Sequence, residues 1–445
     1  MPPTIALINV CYPKEVDVYS PPLGIMSIAS FLNTREVKTH IYDIATDVNC
    51  NNFTVKAVSE YLLTIEEEII GISVWDSILP KVILAVQELK RHRKNKTIII
   101  GGPSASNLSS DLINTFTCFD YCVEGEGEHV LWNLLQWLDS DQSDLLKLSS
   151  NVSGRKGTDV FRGKNTLERL QASEIPGINY GLFEHEKYNK FELSSSRGCP
   201  FRCEFCSINS TLGGVLRIRP LDKVFEELNC LFESTKCEIV NFVDDNFGLS
   251  DDRLKEFCHS FKKQFPTKKW ACYFGLKSLT KDNVDLMADS GCAGVFVGVE
   301  SGNTEQLVAF GKILSADDIF SRIKYATAKF DVTASFIWGF PDENEQQLLD
   351  TFSVIERLTR YDNIVIDFYQ LSPLSGTTLT KRMLNNLAFD EDTISEFIFP
   401  PHIPVFSIEE NELIRKYPTI FSAFYHEDTE LFGNKLHMVK KFLGK

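Results

Sequence analysis

No uninterrupted apolar run in the 445-residue sequence approaches the ~20 residues needed to span a bilayer, so we expect no membrane association. The N-terminus has no basic region ahead of an apolar stretch, so we expect no secretory signal and predict a cytoplasmic protein. Positive charge is scarce too, because 46 Lys and Arg residues stand against 61 Asp and Glu residues. The resulting net charge of −15 repels a phosphate backbone and argues against nucleic acid as a partner.

Cysteine is plentiful, with 12 residues, but without a secretory context a disulfide framework is not expected. Most cysteines lie outside any metal-binding spacing, and Cys118 and Cys122 form an isolated C-x3-C pair that we interpret as structural. The sequence also lacks repeats of fixed period and low-complexity segments. Its length and ordinary globular composition, 43% apolar and 24% charged, predict two or three domains.

Residues 1–140 alternate strand and helix patterns, which predicts a Rossmann-like, doubly wound α/β domain with a parallel sheet. Its candidate strands are residues 4–10, 38–42, 69–74, 97–100 and 121–124. Ligands of such domains bind beyond the carboxyl ends of the strands. The candidate binding residues at this edge are Trp75, Asp76, Ser77, Gly101 and Gly102.

The β/α alternation pauses over the polar residues 141–185, which we interpret as a linker, and resumes over residues 186–385. The candidate strands of this second region are residues 191–196, 238–243, 269–274, 294–299, 333–338 and 365–371. Six β/α units predict a partial (β/α)6 barrel, short of the eight units of the closed form. Residues 386–445 form a predicted helical, aromatic-rich C-terminal segment, which we expect to cover the barrel mouth.

The most informative stretch is RGCPFRCEFC, which places Cys199, Cys203 and Cys206 in a C-x3-C-x2-C pattern. Three thiolates this close in sequence can surround one centre only on an irregular loop, which Gly198 and Pro200 favour. Thiolate ligands indicate zinc or an iron–sulfur centre. A four-iron cluster with three cysteines keeps one iron open for a ligand, whereas a zinc site needs a distant fourth ligand.

This loop resembles that of the radical SAM superfamily, and the resemblance extends over residues 190–380. Further elements that resemble family motifs follow the second, fourth, fifth and sixth candidate strands, at residues 243–247, 299–302, 339–343 and 372–377. Each element alone is a weak signal, but their order after the cysteine loop is specific. The resemblance also implies that Phe205, just before the last cysteine, packs near the adenine of S-adenosylmethionine (SAM).

The resemblance implies further roles in binding SAM. Asp244 and Asp245 lie in the element that contacts the methionine amino group in the family. Glu300 and Ser301 lie in the element that holds the ribose. Gly339 begins a stretch that resembles the Gly-x-Pro-x-Glu turn of the family.

The activity implied by the resemblance is reductive cleavage of SAM at a [4Fe–4S] cluster held by Cys199, Cys203 and Cys206. The radical released from SAM then abstracts hydrogen from the substrate, and the protein orients the reactants and excludes water. On the same ground we expect an enzyme with a small-molecule substrate and a reducing partner such as flavodoxin or ferredoxin.

The N-terminal region resembles the cobalamin-binding domain of one large radical SAM subgroup, at residues 22–25, 101–104 and 125–128. The Asp-x-His-x-x-Gly motif, which supplies a histidine to cobalt in other cobalamin proteins, is absent here, as is usual in this subgroup. Cobalamin is therefore an expected cofactor, without a lower histidine ligand. Its expected contacts are the residues of the N-terminal carboxyl edge.

Three functions remain open at this point. The first is a cobalamin-dependent methyltransferase acting on a small molecule or natural-product intermediate. The second is a radical SAM enzyme of the same architecture that catalyses cyclisation, ring rearrangement, dehydration or epimerisation. The third is a non-catalytic Fe–S or zinc-binding protein. A tRNA methylthiotransferase is disfavoured, because the N-terminal cysteines are poorly placed for a second cluster and the chain is acidic.

Overall fold

The computed structural model describes residues 4–12, 20–48, 52–140, 144–164, 169–312, 314–399 and 406–444. The strands of the N-terminal sheet are β1 (Thr4–Asn9), β2 (Lys38–Asp43), β3 (Ile69–Ser73), β4 (Thr97–Gly101), β5 (Tyr121–Val123), β6 (Val152–Lys156) and β7 (Asp159–Arg162). They lie in the order β2-β1-β3-β4-β5-β6-β7, and β1 to β5 are parallel. The helices of this unit are α1 (Leu23–Asn33), α2 (Ile44–Asp47), α3 (Val55–Thr64), α4 (Leu79–His92), α5 (Pro103–Thr115) and α6 (Gly127–Leu138).

The parallel strands are covered on both faces, which confirms the predicted doubly wound fold. The apolar sequences IIGIS of β3 and TIIIG of β4 are buried in their central three residues, as expected for strands between two helical layers. On β4, Ile98 and Ile100 pack into one apolar layer and Ile99 packs into the other. The carboxyl ends of β1, β3 and β4 therefore share one edge of the sheet.

The predicted linker at residues 141–185 differs from what the structure shows. Strands β6 and β7 lie inside it and extend the N-terminal sheet as an antiparallel pair next to β5. The sequence VSGRK of β6 carries little strand signal, because one of its sheet positions is a glycine. A Cβ on Gly154 would press against the rings of Tyr121 and Phe161, so the neighbouring aromatics occupy the space that a side chain would fill.

The second unit is a sheet of six parallel strands, in agreement with the predicted partial barrel. Its strands are β8 (Phe191–Leu193), β11 (Ile239–Phe242), β12 (Lys269–Tyr273), β13 (Cys292–Glu300), β14 (Asp331–Trp338) and β15 (Ile364–Gln370), and β9 (Ser196–Arg197) pairs with β10 (Arg217–Ile218) beside it. The sheet order is β15-β14-β13-β12-β11-β8, so strands that are neighbours in the barrel series are neighbours in space. The helices here are α7 (Ile208–Leu212), α8 (Leu221–Ser234), α9 (Asp251–Gln264), α10 (Lys281–Asp289), α11 (Thr304–Ala309), α12 (Ala316–Thr327) and α13 (Glu345–Leu358).

Burial alternates along strands β11 and β12 and separates a core face from a concave face. Val240 and Phe242 of β11 belong to the helix-covered core, whereas Asn241 between them is partly exposed. Tyr273 of β12 and Asp367 of β15 are partly exposed in the same way. The concave face is therefore open and polar, unlike the filled interior of a closed eight-stranded barrel.

The C-terminal segment packs on both units, although we expected it to cover the barrel mouth. Its elements are α14 (Thr378–Met383), β16 (Leu387–Ala388), α15 (Ile408–Lys416), β17 (His426–Glu427) and α16 (Glu430–Phe442). Phe421 and Phe424 join the core of the N-terminal unit, and α15 is tied to α4 by a buried ion pair of 2.9 Å between Glu410 and Lys81. Helix α16 packs on α13 instead, where the rings of Phe442 and Phe352 stack. Among the described residues, no helix is long and apolar enough to cross a membrane.

Candidate active site

The cysteine loop runs from Gly198 to Cys206 and follows β9 at the carboxyl end of the first barrel strand. Gly198 has a φ of +87°, and a Cβ here would collide with the carbonyl oxygen of Val215 across the β9–β10 pair. Glycine is required at this position because it adopts the left-handed region without steric cost. Further along, the N–H of Cys206 donates a hydrogen bond of 3.1 Å to the carbonyl oxygen of Cys203. The loop is therefore irregular, as predicted.

The three loop cysteines are partly buried, and all have free thiols. Burial raises the pKa of Cys206 to about 11, with smaller contributions from the nearby Cys203 and Cys199. Burial also raises the pKa of Cys199 and Cys203, while Lys312 opposes the shift of both thiols. Across the described residues, no group of three or more His, Cys, Asp and Glu side chains is arranged to hold a single metal ion. Three thiols on one short loop are a donor set that suits an iron–sulfur cluster.

An aromatic cluster backs the cysteine loop. The ring of Phe205 lies 5.6 Å from that of Phe310 and 5.5 Å from that of Phe340, and the last two rings are 4.6 Å apart. These residues come from the cysteine loop, the region after α11 and the turn after β14. Phe205 is thus held at the carboxyl edge of the barrel, and its predicted contact with adenine stays a prediction.

Asp244 and Asp245 follow β11 and hold the start of the cysteine loop. The carboxylate of Asp244 is 1% exposed and accepts hydrogen bonds from the Ser195 N–H at 3.0 Å, the Ser195 hydroxyl at 2.9 Å and the Ser196 hydroxyl. Asp245 accepts a hydrogen bond of 2.9 Å from the N–H of Gly198. Burial raises the pKa of both carboxyl groups. Both residues therefore position the loop, and their contact with the SAM amino group stays a prediction.

Glu300 ends β13 in an unusual backbone conformation. Its φ is +71°, and the pairing of β13 with β14 shifts register between Gly298 and Glu300. Non-glycine residues with positive φ are uncommon and concentrate at functional sites. Its carboxylate forms an ion pair of 2.8 Å with Lys312, whose ammonium group also donates to the Gly298 carbonyl oxygen at 2.6 Å. Lys312 was not predicted as a site residue, although it is a basic residue shortly after Glu300 in the sequence.

Ser301 and Gly339 have local structural roles at the same edge. The Ser301 hydroxyl donates a hydrogen bond of 2.6 Å to Gln306 and accepts one of 3.0 Å from the N–H of Asn303, so it stabilises the start of α11. Gly339 has a φ of +93°, and its N–H donates a hydrogen bond of 2.8 Å to the carboxylate of Glu343. The 339–343 turn therefore closes on its own glutamate, and direct contact of either residue with SAM stays a prediction.

The N-terminal carboxyl edge contains a tight glycine turn and an exposed tryptophan. Gly101 ends β4, and Gly102 has a φ of +96°. A Cβ on Gly102 would lie 2.9 Å from both the Ser73 hydroxyl and the Val74 carbonyl oxygen, so a larger residue cannot fit. Trp75, which follows β3 at the same edge, is 53% exposed. The edge thus offers backbone and an aromatic surface to a ligand.

Asp76 and Ser77 continue this edge with buried polar groups. The Ser77 carbonyl oxygen accepts a hydrogen bond of 2.9 Å from the Tyr12 hydroxyl. Burial raises the pKa of Asp76. The hydroxyl groups of Ser104 and Ser375 face the buried carboxylate of Asp76 and oppose the effect of burial on its pKa. The edge thus contains a small cluster of buried polar groups that are paired with one another.

The two carboxyl edges meet at a buried ionic joint. Arg197, which precedes the cysteine loop, donates hydrogen bonds of 2.8 Å to Glu126, to Glu128 and to the Ser27 hydroxyl. Arg217 pairs with Glu126 as well. Burial alone would raise the pKa of Glu128, but the Arg197 guanidinium holds it below its ordinary value. Residues 125–128, matched above to a cobalamin-domain motif, therefore connect the N-terminal sheet to the cysteine loop, a role that the sequence analysis did not identify.

A second contact between the edges lies beside the ionic joint. Asn107 of α5 donates a hydrogen bond of 3.4 Å to the Thr211 hydroxyl of α7, and its side chain also packs against Gly376. A cavity of about 220 Å³ opens between the units. Its lining includes Glu124, His129, Asn151, Arg169 and Ser210. The loops that follow the strands of both sheets thus face a common space.

Comparison with known families assigns both units. The family model described as the radical SAM superfamily matches residues 193–355, and that of the B12 binding domain matches residues 13–135. The chain therefore contains a radical SAM domain. Its N-terminal unit is a B12-binding domain. A [4Fe–4S] cluster, SAM and cobalamin are therefore its cofactors, and the donor set and the glycine turn described above fit them.

Individual relatives of this radical SAM protein are distant. It is 26% identical over 399 residues to an uncharacterized methyltransferase of Pyrococcus horikoshii, covering 87% of this chain and 82% of that protein. It is 29% identical over 228 residues to the hopanoid C-2 methylase of Rhodopseudomonas palustris, covering 50% of this chain and 40% of that protein. The aligned region thus covers well under two thirds of the length of some relatives.

Solved structures share the fold. The radical SAM methyltransferase TsrM of Kitasatospora setae, with cobalamin and a [4Fe–4S] cluster bound, matches with a TM-score of 0.70 at 16% identity, covering 86% of this chain and 78% of that one. The cobalamin-dependent SAM radical enzyme OxsB, with aqua-cobalamin and SAM bound, matches with a TM-score of 0.70 at 18% identity, covering 99% and 66%. At these identities the similarity establishes the architecture of both units together.

Proposed function

We propose that this protein is a cobalamin-dependent radical SAM methyltransferase that acts on a small molecule. The observation that carries the proposal is the direct contact between the two carboxyl edges, made by Arg197 with Glu126 and Glu128. Methyl transfer needs donor and acceptor close together and aligned. A joint next to Cys199 holds the cluster loop at a fixed distance from the B12-binding edge.

The residues have separate tasks in this proposal. Cys199, Cys203 and Cys206 hold the cluster, and Glu300 accepts hydrogen bonds from the SAM ribose. When bound, the cofactors supply reductive cleavage of SAM and carriage of a methyl group. The protein orients SAM with the turn after β14, excludes water with the aromatic cluster, and offers the concave face of the barrel to the substrate.

The N-terminal contacts are also proposed. Gly101 and Gly102 would let the corrin approach the backbone, and Trp75 would supply an apolar surface to it. Asp76 and Ser77 border the same surface. Methyltransferase names among the relatives support methyl transfer. A flavodoxin- or ferredoxin-type reductant is inferred because SAM cleavage consumes an electron, and cytoplasmic location stays a prediction.

The test is to purify the protein anaerobically, reconstitute iron and sulfide, add hydroxocobalamin and remove the excess. Absorption spectra should show both an Fe–S shoulder and a corrin band. With SAM and dithionite, the protein should form 5′-deoxyadenosine and also S-adenosylhomocysteine, the product expected after SAM gives up its methyl group. Formation of 5′-deoxyadenosine alone, with no retained cobalamin, contradicts methyl transfer and supports the radical enzyme without it.

A further inference from the structure

A lysine of the C-terminal helix is completely buried beneath the 339–343 turn, which follows β14. Lys435 of α16 is 0% exposed, and its ammonium group donates hydrogen bonds of 2.7 Å to the Phe340 carbonyl oxygen and 3.1 Å to that of Glu343. The Glu343 carboxylate, also 0% exposed, lies 3.8 Å away. Helix α16 lies outside residues 193–355, which the radical SAM model matches. An element beyond the matched region thus reaches the turn after β14.

The turn that Lys435 holds is in contact with the cysteine loop. The Phe340 ring packs 5.5 Å from that of Phe205, and Gly339 donates its N–H to the Glu343 carboxylate at 2.8 Å. Lys435 therefore holds the main chain at the second and last residues of the turn. A shift of either carbonyl group would move the aromatic ring behind the cluster loop.

The energetic cost of this lysine argues that its position matters. A buried ammonium group loses its hydration, and an ion pair of this kind is often replaceable by apolar residues without loss of stability. Burial lowers the pKa of Lys435 and raises that of Glu343, and the attraction between the two groups only partly offsets these shifts. Helix α16 also makes an apolar contact with this turn through Phe432, whose ring would lie 3.6 Å from a Cβ on Gly339. If α16 served stability alone, further apolar contacts of this kind would suffice in place of a buried lysine.

We propose that Lys435 is a positioning residue for SAM binding: it fixes the 339–343 turn through two main-chain carbonyl groups and so keeps Phe340 against Phe205 of the cysteine loop. The C-terminal helix thereby becomes part of the SAM site without touching SAM. This inference rests on the proposed function for its ligand, but it assigns a role to Lys435, which has none in that proposal.

The first experiment compares Lys435→Met with Lys440→Met in the full-length, reconstituted protein. Lys440 is an exposed lysine of the same helix, so its substitution controls for loss of charge on α16. Both variants should keep wild-type iron content and the wild-type electron paramagnetic resonance spectrum of the reduced cluster. Lys435→Met should raise the SAM concentration that half-saturates the SAM-induced spectral change by roughly tenfold, because about 1.4 kcal/mol of the binding free energy would then be needed to order the released turn. Lys440→Met should leave it unchanged.

A double variant separates positioning from charge balance. Lys435→Met with Glu343→Gln removes both buried charges but leaves the two carbonyl groups unheld, while the amide oxygen that replaces the carboxylate can still accept the Gly339 hydrogen bond. The proposal expects recovered thermal stability without recovered SAM affinity. Recovery of both, unchanged affinity in Lys435→Met, or failure of both variants to fold overturns it by assigning Lys435 to stability alone. A wild-type protein that does not bind SAM contradicts the proposed function instead.

Discussion

The two carboxyl edges that meet in this molecule are built differently. The barrel edge presents chemically specific side chains, with Cys199, Cys203 and Cys206 on one loop and the ion-paired Glu300 nearby. The N-terminal edge presents main chain at Gly102 and the exposed ring of Trp75, together with buried polar atoms. A ligand bonded through few atoms demands particular residues, whereas a large flat ligand needs room and an apolar surface. The first edge is therefore recognisable from one short motif, whereas the second was recognised only from several separate stretches, at residues 22–25, 101–104 and 125–128.

The largest effect is expected from breaking the barrel edge alone. Cys203→Ala removes one of three thiolate ligands, so we expect loss of cluster iron and of 5′-deoxyadenosine formation under dithionite, and the same for Cys199→Ala and Cys206→Ala. Cobalamin retention should persist, because the N-terminal edge is untouched. Cys230→Ala, at an exposed cysteine outside the loop, is the matched control. Normal 5′-deoxyadenosine from any loop variant would remove the cluster assignment.

The reciprocal change breaks the N-terminal edge. Gly102→Trp places a large side chain where even a Cβ meets Ser73 and Val74 at 2.9 Å, so retained cobalamin should fall to background. Iron content should stay near wild type, since the cysteine loop belongs to the other unit. Cobalt and iron are measured together after hydroxocobalamin loading and removal of the excess. Gly433→Trp, at an open position of α16, controls for the added bulk. If Gly102→Trp retains as much cobalt as the wild-type protein, the corrin does not bind at this turn.

The third change breaks the joint between the edges. Arg197→Met leaves Glu128 buried without its cation, and removing one member of a buried ion pair costs roughly 3–5 kcal/mol of unfolding free energy. Denaturant unfolding should show this loss, whereas Arg202→Met, at an exposed arginine of the cysteine loop, should change little. If both variants unfold at the same denaturant concentration, Arg197 does not hold the two units together.

The fold was predictable to the extent that its strands carry a periodic apolar signal. The six barrel strands and the five parallel N-terminal strands were found this way, because most of them are apolar or partly apolar runs between turns. The β6–β7 pair was not predicted, because Gly154 weakens the strand signal of β6. Neighbouring aromatic rings fill the space that a side chain there would occupy. Arg197 and Lys435 could not be assigned from sequence either, because their partners are 69 to 170 residues away in the chain. Their roles depend on how the units pack.

A smaller effect is expected from substitution of Glu300, which belongs to the barrel edge alone. Glu300→Gln keeps the shape of the side chain but removes the charge, so SAM affinity should fall about tenfold if the carboxylate accepts ribose hydrogen bonds. The Fe–S absorption should not change. Lys312→Met is the companion variant, because it removes the 2.8 Å ion pair and leaves the carboxylate in place. Equal losses in both variants would show that the pair, and not the carboxylate alone, is needed.

The smallest expected effect is on the pH dependence of stability, which depends on the ionic joint between Arg197 and Glu128. The folded-state pKa of Glu128 is lowered by Arg197, despite burial, so the ionised carboxylate stabilises the folded protein. This contribution is fully present above the unfolded-state pKa of about 4.3 and is lost as pH falls through the lower folded-state pKa. In Glu128→Gln that pH dependence disappears. The stability difference between wild type and Glu128→Gln, followed by thermal unfolding, should therefore shrink as pH falls below about 4.3. A difference that stays constant across this range would mean that Glu128 contributes shape and hydrogen bonding to the joint, and that its charge is not what ties the B12-binding edge to the cysteine loop.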